Sequence, residues 1–118
     1  MYKILIFIAI FLANTSCEPK ILPTVIEISP NEVLIKFSHM SNMEEFARVA
    51  MECAEYNINF QYTGSEFFQD KSLRNLAIQV TMPNGKSGST KADLTTLQYK
   101  YYGIVAKADG YFKIGHIE

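Results

Sequence analysis

A chain of 118 residues has room for one domain, and a hydrophobic fraction of 48% with 8 Phe and 7 Tyr can supply its core. The formal charge is only −1, with neither a basic surplus nor an acidic block. That speaks against nucleic acid as the principal partner, because phosphate neutralisation needs clustered Lys and Arg.

The first element is an address. Met1-Tyr2-Lys3 precedes an unbroken apolar run over residues 4–13, followed by Asn14, Thr15, Ser16 and Cys17. A basic start, an apolar stretch and a small polar region are the parts of an export signal. The run would cover about 15 Å as a helix, half the hydrocarbon thickness of a bilayer, so a permanent membrane span is not expected. Cys17 directly after Thr15-Ser16 resembles the lipobox of bacterial lipoproteins, with a departure at Asn14, where an aliphatic residue is usual. The resemblance implies a cleaved signal over residues 1–16, lipidation of Cys17 and a tether over 17–23. It also implies export to the cell envelope, anchored at the periplasmic face or the outer membrane. Plain secretion is the rival reading, with a Cys17–Cys53 disulfide, since these are the only two cysteines.

One domain is expected over 24–118. Strands are predicted over 24–29 and 32–38, separated by Ser29-Pro30-Asn31. A helix follows over about 42–56. Ser41 is its expected N-cap, with Glu44 completing a capping box. Met43, Phe46, Val49, Ala50 and Cys53 form its apolar face, opposite Glu44, Glu45, Arg48, Glu52 and Glu55. Asn57 suits the position after the helix. Ile58, Phe60 and Tyr62 alternate with polar residues as a strand. A loop over 63–73 then brings Phe67 and Phe68 under the sheet. Leu76, Ile78, Val80 and Met82 mark another strand, turned by Pro83-Asn84-Gly85-Lys86 into an antiparallel return over 87–94. Strands over 98–106 and 111–117 flank a turn at Asp109-Gly110. The expected class is α+β: a mostly antiparallel sheet of about five to seven strands with one amphipathic helix on one face.

Residues 44–115 resemble a small domain found in Bacteroidota near the ends of BlaR1-like M56 peptidases and in small lipoproteins. The shared features are the helix, Ile58-Asn59-Phe60-Gln61-Tyr62, Leu76-Ala77-Ile78-Gln79-Val80, Asn84-Gly85-Lys86-Ser87-Gly88-Ser89 and Phe112-Lys113-Ile114-Gly115. This implies a fold and an envelope setting. No catalytic residue carries over, because the peptidase H-E-x-x-H helix has no counterpart here.

Little in the sequence speaks for catalysis. His39 and His116 have no ligand-type neighbour at metal spacing and are expected in solvent. Cys53 falls on the apolar helix face, where it acts as a small hydrophobe. The 84–91 segment lacks the order of a phosphate loop and leads into no helix. Glu44-Glu45 lies on a solvated face, and Glu66 and Asp70 have no evident partner. Tyr99, Tyr101, Tyr102, Tyr111 and Phe112, crowded into fourteen residues, are the most suggestive group, either a contact surface for a protein or a glycan or a shield for a sheet covered by one helix. The expected function is a non-enzymatic, membrane-anchored module that binds another envelope protein, as an inhibitor or immunity protein does, with no cofactor or metal. Its candidate contacts are Tyr99, Tyr101, Tyr102, Asn84 and Lys86. The alternatives are a structural accessory subunit of an envelope complex and a hydrolase with an unrecognised site.

Overall fold

The computed structural model describes residues 21–117. The signal segment and Cys17 lie outside them. The class is α+β, and every strand pairing is antiparallel. Among the described residues, eight strands are divided between two sheets. The first has the order β1 (Val25–Ile28), β2 (Val33–Phe37), β7 (Tyr101–Ala106), β8 (Phe112–Ile117). The second is built on β5 (Leu73–Thr81), with β6 (Ser87–Asp93) along one side. On its other side β3 (Asn59–Gln61) and the two-residue β4 (Glu66–Phe67) lie end to end.

Helix α1 (Met43–Glu55) starts one residue later than its sequence suggests. Asn42 is the N-cap: its Oδ1 accepts from Glu45 N at 3.0 Å, and Glu45 Oε1 accepts from Asn42 N at 3.0 Å. The box is therefore Asn42/Glu45, not Ser41/Glu44. Ser41 is fully buried, with its Oγ taken by Ser38 N and by the Thr24 hydroxyl. Glu45 also accepts from Thr24 Oγ1, so it is a capping group rather than part of a solvated carboxylate pair. At the other end Asn57 adopts φ +62°, Ile58 N donates to Cys53 O and Asn57 N donates to Ala54 O. This pair of bonds with a left-handed Asn satisfies the last carbonyls and turns the chain into β3.

The core lies between the sheets, with α1 packed alongside. β2 contributes Val33, Ile35 and Phe37; β5 contributes Leu73, Leu76, Ile78 and Val80; α1 contributes Phe46, Val49 and Cys53. Phe46 is its centre, stacked on Phe37 at 4.0 Å between ring centroids and within 5.3 to 6.4 Å of Phe67, Tyr62 and Phe60. Of the Phe67–Phe68 pair only Phe67 joins the core. Phe68 points outward at 45% exposure. Met43 is also exposed, although it falls on the apolar side of the helix by spacing.

The core-facing positions of β6 are small. Gly88, Thr90 and Ala92 stand opposite Val80, Ile78 and Leu76 of β5. Ile114 of β8 fills the space this leaves: a Cβ at position 88 would fall 2.4 Å from its Cγ2. After β6 the chain does not go straight into a strand. Asp93 caps a four-residue helix, α2 (Leu94–Leu97), its Oδ1 accepting from Thr96 N at 2.8 Å. That bond holds the Asp93 carboxyl below its ordinary pKa. β7 therefore begins at Tyr101 rather than at residue 98.

The molecule has two ends. Residues 21–24 join the body at the proximal end, beside the start of α1 and the first residue of β7. The β1–β2, β5–β6 and β7–β8 turns lie at the distal end with the last turn of α1. Gly85 (φ +92°) and Gly110 (φ +97°) make the last two of these turns, and Lys86 Nζ donates to Gly110 O across their tips.

Candidate functional site

The structure separates the residues proposed as partner contacts. Tyr99 stands in the turn after α2 and is 57% exposed. Tyr101 opens β7 on the outer face of the first sheet. Its hydroxyl donates to Pro23 O at 2.7 Å, and Lys36 Nζ lies 5.3 Å from its ring centroid. Tyr102 faces inward, packs on the core and lies 5.8 Å from the His116 ring. Only Tyr99 is freely presented. Asn84 and Lys86 sit in the β5–β6 turn at the distal end, where Asn84 Oδ1 accepts from Lys86 N at 2.9 Å. Because β7 runs from Tyr101 at one end to Ala106 at the other, about 17 Å of strand separates the two groups. They do not form one surface.

The other polar candidates have structural partners. His39 is half-buried rather than solvated, its Nδ1 lying 3.3 Å from Leu97 O, and His116 is half-buried against Tyr102. Cys53 has no exposed surface, and its thiol is pushed up to about 11 by burial and by the neighbouring Glu52 carboxylate. A thiol so disposed is a poor nucleophile at neutral pH. Glu66 accepts from Asn75 Nδ2. Asp70 accepts from the Ser72 hydroxyl and backbone N–H, which lower its pKa and close a turn. Arg48 pairs with Glu52 at 3.3 Å on the helix surface, worth only tenths of a kcal/mol. Among the described residues, no three His, Cys, Asp or Glu side chains converge as a metal site. No described helix is long and apolar enough to cross a membrane.

One concavity among the described residues is not announced by the sequence. A cleft of about 600 Å³ opens where the last turns of α1 meet the end of β1, the start of β2 and the end of β7. That volume falls in the range of ligand-sized pockets. Ile26, Ile28, Tyr56 and Val105 give it an apolar lining; Glu27, Glu32, Glu52 and Glu55 line it with Lys107, and Glu52 is paired with Arg48 at 3.3 Å. Lys107 is itself drawn toward Tyr111, with its Nζ 5.6 Å from the ring centroid. The cleft adjoins β1, an edge strand of the first sheet, whose outer side pairs with no described strand.

No known protein family, curated protein or solved structure matches this chain. The site is therefore read from its own chemistry. An edge strand next to an apolar cleft can accept a further extended segment through backbone hydrogen bonds. The surrounding carboxylates favour a cationic one. The four glutamates are spread between positions 27 and 55, so no local motif announces them. The one available signal is the alternation of β1, which places Glu27 away from Ile26 and Ile28.

Proposed function

We infer that this chain is an exported lipoprotein, anchored to the bacterial envelope through Cys17, that works without a cofactor by binding another envelope protein. The partner contributes an extended segment carrying Lys or Arg. It lies along the outer side of β1, with apolar side chains on Ile26, Ile28 and Tyr56 and its cations toward Glu27, Glu52 and Glu55. The observation that carries this reading is the coincidence of a strand edge unpaired among the described residues, an apolar lining and four carboxylates in one cleft. Strand addition supplies affinity through the main chain, and the side-chain pockets and charges select the sequence.

Two results are expected. Cys17→Ser should move the protein from the membrane fraction to the soluble fraction, because acyl burial contributes about 0.8 kcal/mol per methylene and is lost entirely. Retention on the membrane would refute the anchor.

A photo-crosslinking residue placed at Glu27 in the full chain should capture one envelope protein, and the same residue at Lys113, exposed on β8, should not. Glu52→Lys with Glu55→Lys should reduce that capture by about tenfold or more, equivalent to 1.4 kcal/mol. Equal capture at both positions, or capture indifferent to the charge reversal, would refute the cleft as the binding site.

A further inference from the structure

We propose that the proximal end of the domain is a membrane-contact face, seated in the headgroup region of the bilayer that holds the anchor. The proposal rests on the lipid-anchor reading and adds an orientation to it.

Its first ground is the distribution of exposed apolar side chains. Seven large hydrophobic residues are exposed among the described residues, and five of them cluster at this end: Ile21, Met40, Met43, Phe68 and Tyr99. They come from four separate segments drawn together by backbone contacts. Leu22 N donates to Met40 Sδ, His39 N donates to Leu97 O two residues before Tyr99, and Met43 N donates to Lys71 O in the turn that carries Phe68. Exposed apolar groups gathered in this way mark a contact surface, unlike the same groups scattered singly. The two remaining, Met51 and Tyr111, lie on the helix flank and at the distal end.

The second ground is the length and attachment of the tether. Cys17 precedes Ile21 by four residues, so a lipidated Cys17 sulfur would lie within about 17 Å of the Ile21 Cα however the intervening chain runs. From residue 22 onward the chain is held to the body. Ser38 Oγ donates to Leu22 O, Tyr101 hydroxyl donates to Pro23 O, and the Thr24 hydroxyl bonds Ser41 and Glu45. The tether therefore leaves from the middle of the apolar cluster and cannot let the domain tumble far from the surface. An amphipathic tyrosine and exposed methionines suit the interface, where apolar groups sit about 5–10 Å deep at the headgroup boundary. Contacts too weak to bind alone become effective once the anchor makes them intramolecular. Lys71 and Lys100 are exposed beside Phe68 and Tyr99, but Glu44 and Asp70 are also exposed nearby, so the contact is chiefly apolar.

The chain has no tryptophan, so single reporters can be introduced. The full chain, processed in cells, is reconstituted in phosphatidylethanolamine–phosphatidylglycerol vesicles containing lipid doxyl-labelled near the headgroup. Tyr99→Trp should show a blue-shifted emission and quenching several-fold stronger than Tyr111→Trp at the distal end. Met40→Trp repeats the measurement should Tyr99→Trp fold poorly. Cys17-dependent membrane association without quenching at either proximal reporter would overturn the contact face and leave the anchor standing. Equal quenching at proximal and distal reporters would overturn the orientation. A protein that stays soluble whatever residue stands at position 17 would overturn both readings.

Discussion

Phe46→Ala should lower the unfolding free energy by about 3–5 kcal/mol, the range for deleting a fully buried aromatic side chain. Phe46 has no exposed surface, and four other aromatic rings surround it. Those rings come from β2, β3, β4 and the loop between the last two, so no single element can shift to refill the space. The loss is set against a typical domain stability of about 5–15 kcal/mol, and a fall in Tm of roughly 15 °C or more is expected. Phe68→Ala supplies the internal comparison. Its ring is exposed, and its removal should change stability by no more than about 0.5 kcal/mol. Urea titration of the two variants checks the contrast. Similar midpoints for both would mean that the aromatic cluster does not hold the sheets and helix together.

Gly103→Ala should be as damaging or worse, for a different reason. Gly103 sits mid-strand in β7, between Lys36 of β2 and Gly115 of β8. A Cβ there would fall 1.8 Å from the Ile35 carbonyl oxygen and 2.7 Å from its carbon. These are main-chain atoms, and no rotamer change relieves the overlap. β2 and β7 must separate, and their ladder is the centre of the first sheet. Overpacking of side chains typically costs about 1–3 kcal/mol, and a backbone collision should exceed it. Gly85→Ala tests the same chemical change without the collision. Gly85 has a positive φ and nothing within 4 Å of an added Cβ, so only the left-handed conformation is penalised, by about 1–2 kcal/mol. Thermal unfolding should place Gly103→Ala far below Gly85→Ala. The reverse order would show that the first sheet adapts at its centre.

These two residues also show what a sequence discloses. Phe46 is legible because α1 has a clear helical period, and the misplacement of its cap by one residue follows from two adjacent capping side chains. Asn42 takes the cap because Ser41 is committed to Ser38 and Thr24. Asn57 and the Gly85 and Gly110 turns are legible for the same local reason: the bonds that define them are near in sequence. Gly103 is not legible, because its constraint comes from a strand nearly seventy residues away. The division into two sheets is hidden likewise. Alternation tells which face of a strand is buried but not which strands lie side by side. β6 conceals its burial further, since its inward residues are Gly88, Thr90 and Ala92. Tyr99 imitates a strand position by its spacing from Tyr101, while Asp93 and Thr96 impose a helical turn just before it. The cleft exists only after pairing brings Glu27 and Glu32 up to Glu52 and Glu55.

The placement of β1 bears on mechanics. It connects directly to residues 21–24 at one end of the body and runs toward the distal turns at the other. On the proposed anchor at Cys17 and a partner at the far end, tension would travel lengthwise through this strand. Its bonds to β2 lie perpendicular to that pull across four paired residues. They would be loaded together in shear rather than opened one after another like a zip, a geometry that would suit the proposed anchored binder.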